Sequence, residues 1–126
     1  MSLKTIAAKI FAHRIAKRTN KWVNNPIETQ EKVFKSLIAK GAETKFGKDH
    51  SFKTIKKHSD FIAQVPVRDY EELKSYVNLA VEGQENILWP GKPLYFAKTS
   101  GTTSGAKYIP ITEGSIKEQV KASRNS

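Results

Sequence analysis

The residues best suited to chemistry lie together, in Thr99-Ser100-Gly101-Thr102-Thr103-Ser104-Gly105-Ala106-Lys107. Glycine lets a backbone approach a ligand closely and turn its N–H groups towards it. The hydroxyls add neutral donors, and Lys107 adds a mobile point charge. Together these suit the non-bridging oxygens of a polyphosphate. Gly, Ser and Thr are also ordinary loop residues, so composition alone equally allows a plain hairpin turn. The segment is not the phosphate loop of the common nucleotide-hydrolysing fold, which needs Gly-x-x-x-x-Gly-Lys-Ser/Thr. Here three residues separate Gly101 from Gly105, Ala106 precedes Lys107, and Tyr108 stands where the magnesium-binding hydroxyl would be.

Other constellations carry less. With no cysteine there is no disulfide framework, thiolate zinc site or cysteine nucleophile. His13, His50 and His58 lack metal-ligand spacing and read as solvated side chains, so no metal site is expected. Asp69, Glu71 and Glu72 are explained by a capped helix start. Arg68 reads as a surface partner of Asp69. Trp22 and Trp89 can stack on bases, though a buried, anchoring role is the commoner one. No complete catalytic set is present.

The elements that must position the loop are mostly helical. Leu3, Ile6, Ala7, Ile10 and Phe11 recur at helical spacing, and Arg14 and Arg18 continue the same stripe, which favours docking on protein over lying in a membrane surface. A second helix has Asn25 as cap, Pro26 in its first turn and Glu28 at capping-box spacing. Val33, Phe34, Leu37 and Ile38 form its inward side, and Gly41 is placed to end it in a left-handed conformation. A polar loop over Thr44–Ser51 follows, with Phe46 and Phe52 as anchors. A short helix is expected over Ser59–Gln64, capped by Ser59 or Asp60. Another begins at the Asp69/Glu72 box, turns Leu73, Tyr76, Val77 and Ala80 inward, and ends by Gly83. Pro90, Gly91 and Pro93 then forbid helix; Leu94–Ala97 and Tyr108–Ile111 read as strands, with Pro110 marking an edge. Thr112 caps a last helix from Glu113 that is still running at Ser126. The expected plan is helical over 1–83, strand–loop–strand over 94–111, and helix from 113.

Composition bounds the function. A length of 126 residues allows one domain, and 38% hydrophobic with 27% charged residues places the chain outside the disordered class. The net charge is +10, and all of the surplus lies in residues 1–57, where Glu28, Glu31, Glu43 and Asp49 are the only acids. A basic helical module binding nucleic acid or another acidic surface is therefore the competing function class. Against sequence-specific nucleic-acid binding, the cations are spread through helices without interleaved aromatics or a helix-turn-helix pattern. No apolar run approaches the ~20 residues of a membrane span. The acid-free first 27 residues resemble a transit peptide in composition, but a cytoplasmic location is the expectation.

The ordered motifs resemble a known family. The loop from Thr99 to Gly105, with Lys107 after it, is similar to the phosphate loop of the acyl-adenylate-forming superfamily. With Ser104 inserted and Tyr108-Ile109-Pro110 following, it looks more like the auxin-responsive acyl-acid amido synthetases and their bacterial relatives. Phe61, then Val65-Pro66-Val67-Arg68-Asp69-Tyr70-Glu71-Glu72-Leu73, then Leu88-Trp89-Pro90-Gly91-Lys92-Pro93 extend the likeness. Through Lys45-Phe46-Gly47 it reaches back to the Val33–Ile38 helix and covers roughly residues 30–115.

That resemblance implies an α/β adenylate-forming parent fold, of which this stretch supplies helices and one hairpin. It implies a ligase that uses ATP with Mg2+ to adenylate an acyl acid and pass the acyl group to an amino acid amine. Thr99, Ser100, Gly101, Thr102, Thr103, Ser104, Gly105 and Lys107 would bind the nucleotide phosphates. Ser100, Thr102, Thr103 and Ser104 would be hydroxyl donors, Gly101 and Gly105 permissive backbone, and Lys107 the counter-charge. Members of that family are several times longer, so the expectation is an N-terminal fragment, inactive alone.

Overall fold

The computed structural model describes residues 2–100 and 105–123. Among these are six α-helices, a 3-10 turn and one two-stranded antiparallel sheet. The mainly helical chain with one strand–loop–strand matches the sequence reading. The helices are α1 (Leu3–Val23), α2 (Pro26–Gly41), α3 (Lys45–Asp49), α4 (His58–Gln64), α5 (Tyr70–Val81) and α6 (Glu113–Ser123). The strands are β1 (Tyr95–Thr99) and β2 (Lys107–Ile111).

Local chemistry sets the helix ends, not always through the expected groups. Asp69 and Glu72 start α5 as anticipated, each accepting the other's backbone N–H at 3.0 Å. Gly83, at φ +93°, closes α5: its N–H bonds the Ala80 carbonyl while that of Gln84 bonds Leu79. At α6, Thr112 and Ser115 exchange backbone-to-hydroxyl bonds of 3.1 and 3.2 Å. Asn25, by contrast, makes no side-chain cap. Its amide turns back to the Lys21 carbonyl, and Glu28 pairs with Lys32 instead. Asp60 caps α4 from inside its first turn, accepting from the backbones of Lys56 and Lys57 at 2.9 and 3.1 Å.

The expected polar loop after α2 is helix α3, and the way it joins α2 defines the core. Thr44 is 1% exposed. Its hydroxyl donates to the Gly41 carbonyl (2.7 Å) and accepts from the Gly47 N–H (3.0 Å). The first two N–H groups of α3, on Lys45 and Phe46, bond the carbonyls of Asn86 and Ile87 at 2.7 and 3.0 Å. Two donors of the helix start that have no partner within the helix are thus satisfied by a distant loop. Gly41 ends α2 without the left-handed turn expected of it; a side chain there would meet the Phe52 ring at 3.0 Å.

Ile38, Ile55, Val77, Ala80 and Ile87 are the buried aliphatic residues. Beside them runs a chain of edge-on rings: Phe34 to Phe61 (6.1 Å), Phe61 to Phe52 (6.1 Å), Phe52 to Phe46 (5.9 Å) and Phe46 to Tyr76 (5.2 Å). Phe46 and Phe52 are therefore anchors, as expected. Val33 and Leu37 are not buried: at 53% and 48% exposure they line an open groove of about 1040 Å³ with Leu88, Trp89 and Pro93. Helix α1 buries no residue, and its Trp22 is 52% exposed rather than anchored.

Charge pairing explains where the basic surplus is expressed. Each acid of residues 1–57 has a lysine partner: Glu28 with Lys32, Glu31 with Lys35, Glu43 with Lys53, and Asp49 with Lys45. Helix α1 holds none of these acids, so the excess concentrates there. Hydrogen bonds from Lys32, Lys53 and Lys45 hold the Glu28, Glu43 and Asp49 carboxyls below their ordinary range, and the Lys56 backbone N–H does so for Asp60. A depressed carboxyl stabilises the fold above its unfolded value and loses that contribution as pH falls through its folded value. The thermal midpoint is therefore expected to fall as pH drops below the ordinary values of 3.8 for aspartate and 4.5 for glutamate. Asp60→Asn should lower the midpoint at neutral pH and flatten this acid slope, and a series of thermal melts across pH checks both.

Candidate phosphate-binding hairpin

The chain turns from helix to strand after Gly83 because prolines and glycines replace the helical pattern. Asn86, at φ +57°, and Gly91, at φ +82°, make the turn, closed by the Gly91 N–H donating to the Asn86 side chain at 2.7 Å. β1 and β2 then pair with Thr99 opposite Lys107, Ala97 opposite Ile109 and Phe96 opposite Pro110. Opposed residues share a face of an antiparallel ribbon, so Thr99 and Lys107 leave the same side at the mouth of the loop. Ser100 follows β1 as an exposed residue. Gly105 has φ +83° with open space where a side chain would be, which suits close approach by a ligand. Gly101, Thr102, Thr103 and Ser104 lie outside the described residues.

A two-stranded ribbon is marginal alone, and α5 supports this one. The Tyr108 backbone N–H donates to the Tyr70 hydroxyl at 2.9 Å, and the Lys107 ammonium sits over the Tyr70 ring, 5.5 Å from its centroid. Among the described residues no carboxylate lies within ion-pair distance of Lys107, whereas Lys32, Lys45, Lys53, Lys74 and Lys117 are all paired. No group of residues able to hold a metal ion occurs among the described residues, and no described helix is long and apolar enough to cross a membrane.

Comparison with known proteins bears on what such a hairpin serves. The model of the GH3 family N-terminal domain matches residues 15–126. The chain belongs to the GH3 family. This agrees with the resemblance read from the ordered motifs. The GH3 chain is 27% identical over 101 residues to indole-3-acetic acid-amido synthetase GH3.15 of Arabidopsis thaliana, covering 79% of this chain and 17% of that protein. It is 29% identical over 94 residues to indole-3-acetic acid-amido synthetase GH3.4 of the same plant, covering 73% of this chain and 16% of that protein. It therefore spans about a sixth of the length of these relatives.

Two features of this GH3 chain escaped sequence reasoning. Tyr70 continues the inward stripe of α5 by one turn, so its spacing suggests core; only the fold brings it beneath Lys107. His50, expected in solvent, is 6% exposed. Its Nε2 lies 3.1 Å from Arg68 Nη2 and its Nδ1 lies 2.8 Å from the Phe46 carbonyl. Arginine only donates, so Nε2 accepts and Nδ1 carries the proton given to Phe46. Arg68 thus serves the core through His50, a partner that its sequence neighbour Asp69 obscured.

Proposed function

We propose that this chain supplies the phosphate-binding part of an ATP-dependent acyl-acid amido synthetase. A substrate carboxylate oxygen attacks the α-phosphorus of ATP; the bond to the bridging oxygen breaks, and pyrophosphate departs with its electron pair. An amino acid amine then attacks the acyl-adenylate carbonyl, expelling AMP and forming the amide. Residues 99–107 would hold the β- and γ-phosphates and oppose the charge that grows on pyrophosphate. Preorganised donors do this well, because they need little rearrangement as charge develops.

The observation that carries this reading is the hairpin mouth: Lys107, which has no ion pair among the described residues, directly opposite Thr99, with the open backbone of Gly105 beside it, in a chain of this family. These residues fit a phosphate anion. They do not fit a bare cation, so Mg2+ would arrive bound to the phosphates, where it offsets their charge. The relatives' names point to an aromatic acetic acid as one acyl substrate to try first.

The test is carboxylate-dependent exchange of labelled pyrophosphate into ATP, run on the complete protein that contains this chain and on residues 1–126 alone. Exchange by the complete protein, absent from residues 1–126, is expected. A complete protein that consumes ATP without any acyl acid, or gives no exchange with a panel of them, would overturn the proposal.

A further inference from the structure

We infer that Tyr70 is a positioning residue for Lys107, its ring holding the ammonium at the loop mouth so that the remaining N–H groups face an incoming pyrophosphate. The inference rests on reading the loop as phosphate-binding. Tyr70 is the first residue of α5, and the reciprocal Asp69 and Glu72 bonds fix that helix start. Its hydroxyl also accepts from the Tyr108 backbone, so helix and strand hold the ring from both sides. Over such a ring the long lysine side chain loses rotamer freedom before a ligand arrives, and the ring quadrupole attracts the cation without neutralising it.

The second cation over a ring shows the difference. Lys45 lies 5.9 Å from the Tyr76 centroid, but it also pairs with Asp49 at 3.1 Å, so its charge is already answered. Lys107 has the ring and, among the described residues, no acid. A ring can hold an ammonium and leave its charge available to an anion. A carboxylate would compete with the phosphate for it.

The experiment is a double-mutant cycle on the complete protein, read as affinity for magnesium pyrophosphate by calorimetry. Tyr70→Leu should weaken binding roughly three- to fivefold, and Tyr70→Phe, which keeps the ring, should stay within about twofold. Lys107→Met should weaken binding about tenfold or more, and Tyr70→Leu should add almost nothing in that background. An equal loss from Tyr70→Leu in both backgrounds would make the ring merely structural and overturn the inference while leaving the loop reading intact. Tighter binding by Tyr70→Leu would overturn it as well, since the ring would then be holding Lys107 away from its ligand. Should Lys107→Met leave affinity unchanged, the loop reading fails and this inference with it. Where Tyr70→Leu does not fold, fluorinated phenylalanines at position 70 keep the ring's shape and drain its face of negative charge. Affinity should fall with each fluorine when Lys107 is present and stay flat in Lys107→Met; a flat series with Lys107 present overturns the inference.

Discussion

Gly47→Ala is expected to destabilise the fold by about 3–5 kcal/mol, at the upper end of single-substitution effects. The cause is backbone, not side-chain, crowding. A Cβ on Gly47 would lie 2.0 Å from the Gly41 carbonyl oxygen and 2.8 Å from its carbon. That oxygen is not free to retreat, because it accepts both the Thr44 N–H at 3.0 Å and the Thr44 hydroxyl at 2.7 Å. Moving α3 outward would in turn strip Lys45 and Phe46 of their bonds to the 86–87 backbone and pull Phe46 out of the ring chain. The thermal midpoint should drop by roughly 10–20 °C. Gly114→Ala is the matched control. Position 114 is inside α6, its nearest neighbour is Trp89 Nε1 at 3.4 Å, and alanine there should raise stability slightly by favouring the helix. A Gly47→Ala protein that melts within a degree or two of the parent would show that α2 and α3 are not joined as described.

Lys107→Met is expected to lower carboxylate-dependent pyrophosphate exchange by the complete protein by about 10²- to 10³-fold, the usual effect of losing one preorganised donor to developing charge. The loss should appear equally in kcat and kcat/KM for ATP if the ammonium acts mainly on the leaving pyrophosphate. Stability should hardly change, since Lys107 is the first residue of β2, is half-buried and has no ion pair among the described residues. A plain hairpin turn makes the opposite forecast, with exchange intact. Separate measurement of exchange and thermal midpoint distinguishes them, because a collapsed hairpin would lower both.

The residues that announce themselves locally were legible from the sequence. Asp69 and Glu72 needed only each other, three positions apart, to start α5. Gly83 needed only its own freedom to reach φ +93° and end it. The two strands and Thr112 were readable for the same reason: proline, glycine and hydroxyl act within a few residues of themselves. Where a cap depended on competition, local reading failed. Asn25 and Glu28 have the right spacing, yet the Lys21 carbonyl and Lys32 hold them instead.

Membership of the family was also written in the sequence, as an order of short motifs, as was the chemical character of the 99–107 loop. What those motifs do physically was decided by the tertiary structure. Leu88-Trp89-Pro90-Gly91 reads as a family motif whose Pro90 and Gly91 forbid helix, but the turn that contains it places the Asn86 and Ile87 carbonyls on the start of α3, more than forty residues earlier in the chain. Thr44–Ser51 reads as a loop because five residues of helix carry no periodic signal of their own. It becomes helix only when a distant backbone accepts its first donors. Lys107 reads as a counter-charge for phosphate, but nothing in its spacing shows the ring of Tyr70 that α5 brings beneath it. Spacing along a chain encodes interactions within one turn or one strand pair. Which donor meets which acceptor across 38 residues, as for Tyr108 and Tyr70, is settled only when the helices pack.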